Sequence, residues 1–164
     1  MAQSGHEISS KGEGNGMFSI TIYTETEITA SPENVWKILT DLERYKEWNP
    51  MITRASGRAE AGARILLRFN PPGSKKNVFR PLVLVADKNR EFRWQGRPRV
   101  PFLFDSEHYF IIEQAGEHKI SLTHNMVFFG LIIPLVKNLI RRKTSNAFNL
   151  MNRALKERAE AELN

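Results

Sequence analysis

GLIIPLVKNLIRRKTSNAFNLMNRALKERAEAELN runs from residue 130 to residue 164 and constrains everything before it. Beyond Pro134 there is neither glycine nor proline for thirty residues, enough for a helix of about 45 Å at 1.5 Å rise per residue. Ile140, Thr144, Phe148, Met151 and Leu155 step by three or four and define an apolar face, flanked by Ala147 and Ala154. The preceding segments read as strands and short helices too small to wrap such a helix. It is therefore expected to lie across a curved sheet, with function in the space between them. Its first turns differ: Leu131 to Ile140 is apolar nearly all round, and Arg141-Arg142-Lys143 follows at once.

Working outward, Phe18, Ile20 and Ile22 alternate with polar residues and Ile28 resumes their parity, which makes 17–29 a half-buried strand. Ser31-Pro32 is a helix start with Ser31 as cap, and Val35, Trp36, Ile38 and Leu39 form the apolar side of a short helix. Asp41 is expected to cap a second one over 42–48, stopped by Asn49-Pro50. Extended segments follow at 51–56, 64–69, 77–86, 90–95, 103–114 and 119–129, separated by Asn70-Pro71-Pro72-Gly73, Asp87-Lys88-Asn89, Pro98 to Pro101 and Ala115-Gly116-Glu117-His118. Six or seven strands with hairpin-like links predict one large antiparallel sheet. The class is α+β, with the helices segregated to one side.

At 164 residues the chain reads as one domain able to bury a core. Residues 1–16, rich in glycine and serine, read as a disordered tail without the apolar centre of a signal peptide. The lack of cysteine excludes a disulfide framework and thiolate metal sites, and no apolar run is long enough to span a bilayer. Both features fit a cytoplasmic location. A net charge of +6 raises nucleic acid and anionic membrane as partners. No zinc-finger, P-loop or aromatic RNA-binding motif supports nucleic acid.

The run ITASPENVWKILTDLERYKEWNP, Ile28 to Pro50, resembles the opening signature of the START-like (SRPBCC) superfamily, in particular its polyketide cyclase/dehydrase-like branch. FRPLVLVADKNREFRWQG (79–96), HYFIIE from His108 and LTHNMVFFG (122–130) resemble its middle hairpin and last two strands. The resemblance covers 17–164 and implies a helix-grip fold: about seven antiparallel strands around the C-terminal helix, enclosing a hydrophobic cavity. It leaves function open, because the superfamily includes lipid carriers, receptors, cyclases, hydrolases and co-chaperones. Without the family, Trp36, Leu39, Tyr45 and Trp48 read as a bulky plug for one end of the sheet.

Strand parity selects the lining. Phe104, Ser106, His108, Phe110 and Ile112 oppose the face carrying Asp105 and Glu107, so they are expected inside. Leu122, His124, Met126 and Phe128 do the same in the last strand, as do Phe92 and Trp94 in the middle hairpin. Phe79, Pro81, Val83 and Val85 form a further row. From the helix, small Thr144 and Ala147 leave room above the sheet, Phe148 lies on the core face, and Leu139 belongs to an apolar lip at the cavity mouth. The interior is thus greasy, with Ser106, His108 and His124 as its few polar groups.

The leading reading is a non-catalytic binder of a hydrophobic small molecule or lipid, with an anionic membrane as a candidate peripheral partner. An enzyme of cyclase, dehydratase or hydrolase type would use His108 and His124 in the same cavity. No nucleophile–base–orienter set can be assembled, however, and no metal site or cofactor is called for. A third reading is a co-chaperone-like interaction domain. A cavity closed by bulky side chains would favour it, an open one with His108 and His124 converging within hydrogen-bond reach of a common point would favour the enzyme, and an open, dry one would favour the binder.

Overall fold

Ser31 starts the first helix as expected. Its Oγ accepts the Asn34 N–H at 3.2 Å, a cap that contributes about 1 kcal/mol, and Pro32 opens α1 (Pro32–Thr40). The computed structural model describes residues 16–70, 76–97, 100 and 102–162. The expectations for the tail before Gly16 and for the loops at 71–75, 98–99 and 101 lie outside these residues.

Before α1 runs β1 (Ser19–Ile28), and after it come a 3-10 turn at Leu42–Arg44 and α2 (Tyr45–Trp48). The Asp41 side chain makes no cap bond here; its carbonyl accepts the Arg44 N–H instead. Asn49 does the capping work just beyond α2, its Oδ1 taking the N–H groups of Met51 and Ile52 at 2.9 Å each. The expected plug is present. Leu39 and Tyr45 are fully buried, the Tyr45 hydroxyl donates to the Leu39 carbonyl at 2.7 Å, and Trp36 and Trp48 pack half-buried against the same cluster.

Among the described residues, eight strands form two sheets: β1-β8-β7-β6-β5 and β2-β3-β4. Their bounds are β2 (Ile52–Ser56), β3 (Leu66–Phe69), β4 (Asn77–Phe79), β5 (Leu82–Asp87), β6 (Glu91–Gly96), β7 (Asp105–Gly116) and β8 (Lys119–Phe129). A single continuous sheet is what the sequence predicts, and Pro81 explains the departure. With no N–H to give a ladder, Pro81 splits the expected 77–86 strand into β4, paired to β3, and β5, paired to β6. A bridge between Arg64 and Leu82 joins the two sheets here, flanked by bonds from Gly62 N–H to the Val83 carbonyl, Val83 N–H to the Ala63 carbonyl and Ile65 N–H to the Pro81 carbonyl.

The last helix, α3 (Ile133–Ala161), is two halves with different lives. Its C-terminal half buries Met151, Leu155 and Ala159 in the main core. It is also pinned at the rim, where Asn34 Nδ2 donates to the Ala159 carbonyl at 3.0 Å and Lys156 Nζ to the Glu27 carbonyl at 2.8 Å. Between Ile133 and Phe148 no residue of the helix is buried. Leucines in that half stand in solvent, and the half rests on a smaller cluster of Ile20, Ile22, Phe128, Ile133 and Phe148.

Candidate functional site

The register of the large sheet carries the two interior histidines onto neighbouring strands: His108 of β7 faces Met126, and His124 of β8 faces Phe110. Their parity points both rings inward, as expected, with His124 fully buried and His108 8% exposed. The rings meet edge to edge, Nε2 to Nε2 at 2.7 Å, with planes 17° apart.

Behind His124 lie two residues that the parity argument did not single out. Asn152 of α3 reaches His124 Nδ1 with its Oδ1 at 2.5 Å, and its Nδ2 donates to Thr24 Oγ1 at 2.9 Å. Thr24 Oγ1 in turn donates to the His124 carbonyl at 2.9 Å. A carbonyl only accepts, so every proton in the chain has one direction. Thr24 spends its hydrogen on the carbonyl, Asn152 must donate to Thr24, and its oxygen must accept from His124 Nδ1–H. The His124 Nε2 is then a bare lone pair and takes the His108 Nε2–H. Neutral His108 is left with an unprotonated Nδ1, which can only accept a hydrogen bond.

Burial holds both rings neutral. It drives His124 down to about 3 against the small opposing pull of the Asn152 bond. It also lowers His108 well below the usual value, with His124 adding to the effect. Each link of such a chain contributes about 1 kcal/mol net, whereas stranding one buried partner costs about 1–3 kcal/mol. Apolar residues of matching shape would hold the fold as well. Stability alone therefore gives no reason for four polar side chains here.

Rings surround the chain. Trp94 lies 4.3 Å from His108, Phe110 stacks on His124 at 4.3 Å, and Phe148 of α3 stacks on His124 at 3.7 Å. The cavity expected at this point is thus closed, because Phe148 projects from the core face of α3 directly onto the His124 ring. The remaining expected lining divides in three. Phe92 and Phe128 are buried; Phe104, Ser106, Met126, Thr144 and Ala147 are half-buried. Phe79 and Leu139 are corrections, being 48% and 46% exposed. The break at Pro81 separates Phe79 from that row and leaves it on β4 in the smaller sheet, against Phe69. Leu139 lies on the face of α3 opposite Phe148 and Met151. A separate dent between α1 and the end of α3, lined by Lys37, Asp41, Trp48 and Arg158, holds only about 10 Å³, room for a single water.

Asn152 and Thr24 had signals in the sequence. Thr24 shares the inward parity of Ile20, Ile22 and Ile28, and Asn152 follows Phe148 by one turn beside Met151. A polar residue at an inward position is the mark of a satisfied network.

Residues 19–161 match the family described as polyketide cyclase / dehydrase and lipid transport. Among solved structures, the chain is similar to a START superfamily protein from Mycobacterium smegmatis, with 21% identity and TM-score 0.70 over 86% of this chain and 97% of that one. It is also similar to the Zhui aromatase/cyclase of a Streptomyces species, with 13% identity and TM-score 0.75 over 89% and 96%. Norcoclaurine synthase of Thalictrum flavum is similar at 12% identity and TM-score 0.70, over 89% and 97%. No curated protein matches. At these identities the likeness is one of fold.

Proposed function

The chain belongs to the polyketide cyclase/dehydrase and lipid-transport family, and from that membership we propose that it binds a hydrophobic small molecule or lipid between the large sheet and the first half of α3. One observation carries this reading: a buried polar chain whose direction leaves His108 Nδ1 an acceptor, on a ring packed among Trp94, Phe110 and Phe148. Ligand sites are built this way, with a greasy wall and few polar groups that fix orientation. The ligand enters by displacing Phe148, settles among Phe104, Ser106, Met126, Thr144 and Ala147, and donates one hydroxyl or enol proton to His108. Phe92, Trp94, Phe110 and Phe128 form the wall behind. A reducing, cytoplasmic setting fits the absence of cysteine.

An enzymatic reading draws support from the same geometry, since His108 backed by His124 and Asn152 has the layout of an oriented base. The low proton affinity of the pair argues the other way. Burial holds the proton affinity of His108 well below that of an ordinary imidazole, so it accepts protons poorly at neutral pH, and binding is favoured over catalysis. The closed centre suits an interaction domain, but a vestigial core has no use for four buried polar side chains.

Native mass spectrometry of the purified protein, followed by organic extraction and thermal-shift screening with lipids and aromatic polyketides, tests the proposal. A bound apolar compound, or a shift with a hydroxyl-bearing one, is expected. Protein that carries nothing and shifts with no compound contradicts it.

A further inference from the structure

Three segments distant in sequence are stitched together at one end of the large sheet. Gly130 N–H donates to the Phe18 carbonyl at 2.9 Å, Leu131 N–H to the Phe102 carbonyl at 3.0 Å, and Ile132 N–H to the Leu103 carbonyl at 3.4 Å. Their side chains turn outward. Phe18 is 49% exposed, Phe102 70%, Leu131 66% and Leu135 86%, and Leu139 extends the patch one turn further along α3. Scattered exposed apolar residues are ordinary, but a contiguous group marks a surface that meets something.

Phe102 sharpens the point. Its φ of +61° is a left-handed conformation that side chains adopt at a cost, and an exposed phenyl ring recovers none of that cost within the fold. The loop is held there from beneath by Asp105, whose Oδ2 accepts the Phe102 N–H at 3.3 Å. Strain kept at an exposed aromatic residue is a mark of function rather than packing.

Charge identifies the partner. From Gly130 to Lys156 the sequence contains no acidic residue. Lys137, Arg142 and Lys143 are all exposed, and Arg142 and Lys143 continue the leucine face by one turn. An apolar patch backed by cations, on a half-helix that buries little against its own domain, fits an interface of acyl chains beneath anionic headgroups.

We propose that this end of the molecule, centred on Phe102, Leu131 and Leu135 and flanked by Lys137, Arg142 and Lys143, docks on the surface of an anionic lipid bilayer. The rings and leucines insert at the headgroup boundary while the cations meet lipid phosphates and carboxylates. This surface is separate from the His108–His124 chain, so it stands or falls independently of the ligand reading.

Co-sedimentation with phosphatidylcholine vesicles, with and without phosphatidylserine, tests it. The intact protein is expected to bind the phosphatidylserine vesicles, with binding weakening as salt rises. Leu135→Ser is expected to lower partitioning roughly tenfold, and Arg142→Glu with Lys143→Glu at least about fivefold per residue. Phe102→Gly is the decisive variant: it relieves the backbone, so thermal stability holds or rises, while vesicle binding falls. Equal partitioning onto both vesicle types, unchanged binding by Phe102→Gly, or dimerisation through this patch in place of vesicle binding would each overturn the proposal.

Discussion

The carbonyl of His124 sets the tautomer of its own imidazole, and through it that of His108: the proton order runs from carbonyl to Thr24, to Asn152, to His124 Nδ1–H, and on to the 2.7 Å contact with His108. Imidazole nitrogen NMR checks this directly. His124 is expected as the Nδ1–H form and His108 as the Nε2–H form, and the reverse assignment would undo the argument for an acceptor at His108 Nδ1.

Asn152 closes that loop, so truncating it strands two partners. Asn152→Ala is expected to cost about 1–3 kcal/mol in chemical denaturation and to release the His124 tautomer. A loss below a few tenths of a kcal/mol would mean that the network carries little.

Acid should expose the pair. Both histidines bind protons more weakly folded than unfolded, so the unfolded chain takes up more protons as pH falls below 6.5 toward about 3. Stability is full above that window and is lost downward through it, by about 1.4 kcal/mol per pH unit for each histidine. His108→Gln cannot charge and is expected to halve the pair's contribution to the slope of urea midpoints. An unchanged slope would place the acid sensitivity elsewhere.

Much of this was legible in the sequence, and for a physical reason. Period-two alternation in long strands fixes facing without tertiary information, so His108, His124, Phe92, Trp94 and Phe110 were all expected inside. Thr24 and Asn152 were passed over because each looks like an ordinary polar residue until a partner one hundred or more positions away is brought beside it. Phe79 failed where the strand itself breaks, at Pro81, which passes the chain from one sheet to the other. The filled centre was out of reach as well: the core-face pattern places Phe148 on the right side of the helix, but the pattern cannot tell whether its ring lines a space or occupies it.

Phe148 separates those two cases. Phe148→Ala should cost about 3–5 kcal/mol in the unliganded protein and should raise affinity for apolar ligands, because the displacement step is gone. Phe148→Trp should retain the fold and bind less. Equal affinities in the two variants would exclude this ring as the barrier.

Gly130 tests the stitched end. At φ +144°, a Cβ there would sit 2.4 Å from the Leu103 carbonyl oxygen. Gly130→Ala should lower stability by about 3 kcal/mol, read as a shift in denaturation midpoint. A neutral substitution would show that the three segments are less tightly joined than their hydrogen bonds indicate.

The most direct test of the binding account follows the His108 Nδ1 resonance while a naphthol, and separately its methyl ether, is added to the protein. The two probes have nearly the same apolar body, but only the naphthol can donate a proton. The account expects the naphthol to bind more tightly and to shift the His108 Nδ1 resonance toward a hydrogen-bonded value, and expects His108→Phe to abolish the difference. Equal binding of the two probes with an unmoved His108 resonance would contradict it.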